Sequence, residues 1–116
     1  MSLNSYPART VSGQRPIQRY PRTLFTAPIT LHHLRTGGIR TARGVSLDIS
    51  EGGLGAIVQS DLLVGETVEI AFRMRETLFN TVAIVRHTSN VRSGFEFLGL
   101  TTGERQDIAR CVVSPG

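Results

Sequence analysis

Val45-Ser46-Leu47-Asp48-Ile49-Ser50-Glu51-Gly52-Gly53 alternates apolar and polar residues and then stops at a glycine pair. A β-strand has a side-chain period of two, so Val45, Leu47 and Ile49 are expected on one face, with Ser46, Asp48 and Ser50 on the other. Gly52 and Gly53 permit positive φ and close backbone approach where the chain reverses into a following strand. The stretch therefore predicts a strand running into a chain reversal, with Asp48 and Ser50 able to address one ligand together. A carboxylate accepts two N–H donors side by side, and a hydroxyl donates or accepts. Such a pair suits the N1 and N2 edge of a guanine. The same residues also fit an ordinary turn in which Asp48 and Ser50 bond their own backbone. The segment alone leaves both readings open.

Working outward, the period of two persists. Ile29 to Leu34 and Ile39 to Ile49 read as two strands with Gly37-Gly38 as the turn between them. Leu54 to Val58 follows the glycine pair. Val68, Ile70, Phe72 and Met74 alternate with Thr67, Glu69 and Arg73, with Ala71 the exception, and predict a half-buried antiparallel strand. Another runs from about Leu78 to His87, and Phe95 and Phe97 flank Glu96 in a last one, both rings facing the core and Glu96 facing water. The tail changes period. Thr101 with Glu104 has the form of a capping box, and Ile108, Cys111 and Val112 make a short apolar stripe. We expect an all-β fold, a small six-stranded antiparallel β-barrel, with one short C-terminal α-helix over about residues 102–112 closing an open barrel end.

Residues 1–23 differ from the rest. They carry Pro7, Pro16 and Pro21 with Ser2, Ser5, Ser12 and Gly13 and show no lasting apolar period, which predicts a flexible Arg-rich arm ahead of a barrel domain at 24–116. Residues 1–47 hold seven arginines and no acid, whereas the remainder holds six arginines and nine acids. The arm and first strands thus favour anionic partners: a dinucleotide, nucleic acid or lipid headgroups. All thirteen basic residues are Arg, spread through the whole chain.

Arg15-Pro16-Ile17-Gln18-Arg19-Tyr20-Pro21-Arg22, followed by Pro28 and an apolar strand and then by Asp48-x-Ser50-x-x-Gly53, resembles the PilZ domain family. That family carries R-x-x-x-R in a flexible N-terminal segment and D/N-x-S-x-x-G at a strand end. The resemblance covers about residues 15–112 and includes Leu63 to Ile70, the strand ending Ile84-Val85-Arg86, and Ser93 to Phe97. The second motif matches at every defined position. The first does not. A literal R-x-x-x-R stands at Arg15 and Arg19, but the family's spacing to the first strand selects Arg22, and counting back four from it lands on Gln18. Gln18 has neither the charge nor the bidentate fork of a guanidinium. Either Arg19 or Arg15 compensates, or binding is weakened.

The resemblance implies a split-barrel receptor for cyclic di-GMP, with no bond of the ligand broken. Its implied ligand set is Arg19, Arg22, Asp48, Ser50 and Gly53, with Arg15 and Gln18 as further candidates. Arg19 and Arg22 would stack on guanine or clamp phosphate, Asp48 and Ser50 would read the guanine edge, and Gly53 would leave backbone room. Ordering of the arm would relay the signal to an effector protein. Two other readings stand beside it: a degenerate PilZ-like adaptor that binds protein but not nucleotide, which Gln18 would explain, and a basic small-barrel nucleic-acid binder. The last has thin stacking support, since Tyr6 and Tyr20 are the arm's aromatics, and it gives Asp48-x-Ser50-x-x-Gly53 no purpose.

Catalysis and metal binding find little in the residues. His32 and His33 are neighbours on a strand and point to opposite faces, His87 stands alone, and Ser50 has no histidine within sequence reach. Gly52-Gly53-Leu54-Gly55 is too short, and wrongly placed, for a phosphate loop opening a helix. No cofactor is expected. At 116 residues and 40% apolar content the chain is expected to form one folded domain, with no run of the roughly 20 apolar residues a membrane span needs and no signal-peptide core, hence a cytoplasmic location. The lone Cys111 is expected on the helix, as a core residue rather than a nucleophile.

Overall fold

The computed structural model describes residues 20–35 and 38–113. Seven strands and one helix follow in the order β1 (Thr23–Leu24), β2 (Pro28–Arg35), β3 (Gly38–Ser50), β4 (Gly53–Val58), β5 (Thr67–Met74), β6 (Thr77–Thr88), β7 (Ser93–Phe97) and α1 (Thr102–Val113). All pairings are antiparallel, and neighbours run β3-β2-β5-β6-β7-β4, with β4 returning to pair with β3 and close a six-stranded barrel. The expected six strands and terminal helix are thus present. The seventh element, β1, is two residues long and too short to carry a period. It pairs with β3 at Thr23 with Ile49 and Leu24 with Asp48, on the edge that β2 occupies from Pro28 onward.

Alternation accounts for the interior. Val68, Ile70, Phe72 and Met74 are buried together with Ile29, Leu31, Phe79, Val85, Phe95 and Phe97, and Glu96 turns outward to Arg86 at 2.6 Å. Phe72 sits at the middle, stacked on Phe79 at 5.0 Å between ring centroids, on Phe97 at 6.0 Å, and edge-on to Phe25 at 5.8 Å. The capping box forms as its spacing requires: the Glu104 amide donates to Thr101 Oγ1 at 3.1 Å and the Thr101 amide to Glu104 Oε1 at 2.9 Å. Ile108 is fully buried and Cys111 and Val112 pack partly against the same core. The turn joining β5 to β6 is a two-residue reversal, with Arg75 at φ 57°, a left-handed conformation taken without glycine.

One expectation fails in β3. Strict alternation placed Ser46 on the face of Asp48 and Val45 on the face of Ile49, yet Ser46 is buried with Ile49, each 0% exposed, and Val45 is 44% exposed. The pairing of β3 with β4 runs Ser46 with Ala56 and then Asp48 with Gly55, so Leu47 is an extra residue, a β-bulge. The bulge reverses the parity of the strand upstream while leaving Asp48 and Ser50 on one face. It also turns Ser46 into a latch. Its Oγ donates to the Phe25 carbonyl at 2.6 Å and accepts the Ala27 amide at 2.9 Å, fastening the chain between β1 and β2. Ser46→Ala leaves these part-buried backbone groups without that partner and is expected to lower stability by about 1–3 kcal/mol, read as a shift in the urea midpoint at unchanged slope.

Candidate ligand-binding site

The site lies where β3 ends, β4 begins and the arm joins the sheet. The pairing of β1 with β3 sets Arg22 next to the end of β3. Arg22 Nε and Nη2 donate to Asp48 Oδ1 at 3.2 and 2.8 Å, and its Nη1 lies 3.5 Å from Ser50 Oγ. Both short contacts converge on one oxygen, so this is not a fork on two oxygens. Asp48 Oδ1 also accepts the Gly55 amide at 3.1 Å, and Oδ2 accepts Arg92 Nη2 at 3.1 Å. The carboxylate is held from both sides, by one guanidinium from the arm and one from the turn between β6 and β7. Its side chain is 20% exposed, against 47% for Arg22 and 41% for Arg92. Burial alone would raise the Asp48 carboxyl, but the hydrogen bonds and charges of Arg22 and Arg92 outweigh it and hold it below the ordinary carboxylate value.

Ser50 Oγ accepts the Gly52 amide at 3.1 Å, the local turn bond that the sequence allowed. For Ser50, turn and site functions therefore coexist, whereas Asp48 reaches across the hairpin to Gly55. Tyr20 lies against the same turn, and a Cβ at Gly52 would come within 2.9 Å of its ring. Gly53 opens β4, where a Cβ would strike the Phe95 carbonyl of β7. Glycine is needed there for the approach of β4 to β7. A Cβ at Gly55 would meet the Arg92 guanidinium and Asp48 Oδ1, so that bare strand position is what lets Arg92 cross β4 to reach the carboxylate.

Of the residues the sequence pointed to, Arg22, Asp48, Ser50 and Gly53 come together, while Arg15, Gln18 and Arg19 lie outside the described residues. Arg92 was missed. It stands far from Asp48 in sequence, and only the closure of β4 on β7, which pairs Gly55 with Gly94, brings the two near. Gly55 was the trace it left in the sequence.

The histidines separate as strand alternation requires. His32 faces out, with Nδ1 3.1 Å from Thr41 Oγ1. His33 is buried between Glu66 Oε2 and Ser60 Oγ, each at 3.0 Å, and holds the loop between β4 and β5 to β2. Glu66 Oε1 in turn accepts the Leu63 amide at 2.7 Å, so this trio is tied into its own loop. Among the described residues no three His, Cys, Asp or Glu side chains gather as a metal site, and no helix is long and apolar enough to cross a membrane.

The described residues thus form a closed antiparallel barrel with Arg22 joined to Asp48 and Ser50 at a strand end. The family model of the PilZ domain matches residues 16–114, and the chain belongs to the PilZ domain family. No curated protein matches it in sequence. Among solved structures it is similar to the Bacillus subtilis inhibitor of motility MotI/DgrA, with 18% identity, 87% of this chain and 52% of that one covered, and a TM-score of 0.74. It thus spans about half the length of the MotI chain. It is similar also to the PilZ domain of Escherichia coli YcgR with c-di-GMP (22% identity, 84% and 89% covered, TM-score 0.63) and to the PilZ domain of CeSA from a cellulose-synthesizing bacterium (19%, 81% and 96%, 0.62). At these identities the likeness is one of fold.

Proposed function

We propose that the chain is a receptor for cyclic di-GMP. The observation that carries this reading is the convergence of Arg22, Asp48 and Ser50, from two segments remote in sequence, at one strand end. A guanine presents two adjacent N–H donors to a carboxylate, and the arginines supply cations for phosphate and planar faces for stacking. Arg22 donates to the oxygen that the guanine edge requires. Binding is then an exchange: the nucleobase takes Asp48 and Arg22 turns to phosphate or stacks on the base. Because Arg22 is continuous with the arm, the exchange would reposition residues 1–21 and change the surface offered to an effector protein, a differential interaction of the kind that shifts a conformational population. The YcgR PilZ domain, solved with c-di-GMP, supports the ligand assignment through the shared family.

Titration calorimetry of cyclic di-GMP into the full chain, with GTP as control, tests this. Micromolar or tighter binding that is lost in Arg22→Ala and absent for GTP is the expected result. No heat at high ligand concentration, with an unchanged melting temperature, would sink it and favour the adaptor that Gln18 suggests.

A further inference from the structure

Asp48 is over-supplied with positive charge: two guanidiniums flank one carboxylate, and both are substantially exposed. Arg92 is also set differently from Arg22. Its backbone is fixed in the turn between β6 and β7, where the Ser89 amide donates to the Arg92 carbonyl at 2.9 Å and Ser89 Oγ accepts the Val91 and Arg92 amides at 3.2 and 3.3 Å. Its guanidinium crosses β4 over Gly55, a strand position where any side chain would block it. Its Nε is buried and has no hydrogen-bond partner among the described residues, and a buried donor left in that state is costly. An ion pair serving stability alone would not need the bare strand beneath it, nor leave a donor unspent.

We infer that Arg92 is a second phosphate-binding arginine of this site, released from Asp48 when a guanine edge takes the carboxylate. The inference rests on the cyclic di-GMP reading and adds a residue outside both sequence motifs. A cyclic dinucleotide carries two phosphates, and the exchange at Asp48 frees two guanidiniums, Arg22 and Arg92, beside the incoming base. One arrives on the arm and one is already held on the barrel, so Arg92 supplies the fork that Gln18 lacks without ordering any further chain.

Cyclic di-GMP is titrated into the full chain, wild type, Arg92→Ala and Arg92→Lys, at low and high NaCl, with thermal unfolding of each ligand-free protein as a fold control. Arg92→Ala is expected to bind about tenfold to a hundredfold more weakly and to lose part of the salt dependence, because one phosphate–cation contact is gone. Arg92→Lys, which keeps the charge without the fork, is expected in between with the salt dependence retained, and it answers the question alone should the alanine variant not fold. Unchanged or tighter binding in Arg92→Ala overturns the inference, since Arg92 would then only compete for Asp48. Weaker binding with an unaltered salt dependence overturns it too, leaving Arg92 a positioning residue for the carboxylate. Absence of binding in the wild type overturns the receptor reading itself and this inference with it.

Discussion

Asp48→Ala is expected to weaken cyclic di-GMP binding at least a hundredfold, beyond the range of ordinary calorimetry. The Asp48 carboxylate can take two N–H donors at once, and each charge-assisted hydrogen bond contributes about 1.5–3 kcal/mol. Two such bonds amount to two orders of magnitude or more at about 1.4 kcal/mol per factor of ten. The substitution also removes the acceptor of the Gly55 amide and leaves Arg22 and Arg92 facing each other without their shared counter-charge. Asp48→Asn separates shape from charge. It keeps one acceptor oxygen, and the family motif admits Asn at this position, so it should bind more weakly than wild type but better than alanine. Unchanged binding by Asp48→Ala would remove the guanine-edge role. The same residue predicts an acid limb in stability. Burial pushes the Asp48 carboxyl up, yet Arg22 and Arg92 hold it below its unfolded value. Its contribution is therefore complete above an unfolded carboxylate pKa of about 3.9 and is lost as pH falls through the lower folded value. Urea unfolding of wild type and Asp48→Asn across this range should give curves whose difference shrinks toward the acid end.

Phe72→Ala is expected to cost about 3–5 kcal/mol, a large part of the roughly 5–15 kcal/mol typical of a domain. Phe72 joins three parts of the molecule: Phe79 of β6, Phe97 of β7, and Phe25 of the segment that Ser46 latches. Aromatic pairs add about 0.5–1.5 kcal/mol each beyond buried area, so the loss should lie toward the upper end. Urea and thermal unfolding measure it, and a melting temperature within a few degrees of wild type would show that the cavity collapses and that the ring cluster is not the centre of the core. Phe72→Leu, which retains most of the volume, should recover more than half. Because Phe25 touches the ring from the chain that positions Arg22, Phe72→Leu should also bind ligand more weakly while remaining folded.

β5 was legible because Val68, Ile70, Phe72 and Met74 keep a period of two, β7 because Phe95 and Phe97 flank Glu96, and α1 because Thr101 and Glu104 cap it with each other's groups. Arg22, Asp48 and Ser50 stood out in the sequence through their resemblance to a family pattern, and the fold brings the three together. The pairing of Asp48 with Ser50 on one face needed only local strand geometry. Three things were not local. The bulge at Leu47, which buries Ser46 and exposes Val45, is set by how β3 pairs with β4. The two-residue strand β1 exists because an edge of β3 was open beside it. Arg92 reaches Asp48 because β4 closes on β7 and Gly55 leaves the path clear. Side-chain period, capping and turn chemistry act over a few residues and are written in the chain order. Register, edges and contacts across a closed barrel depend on which strands become neighbours, and that is decided only when the whole core is buried at once.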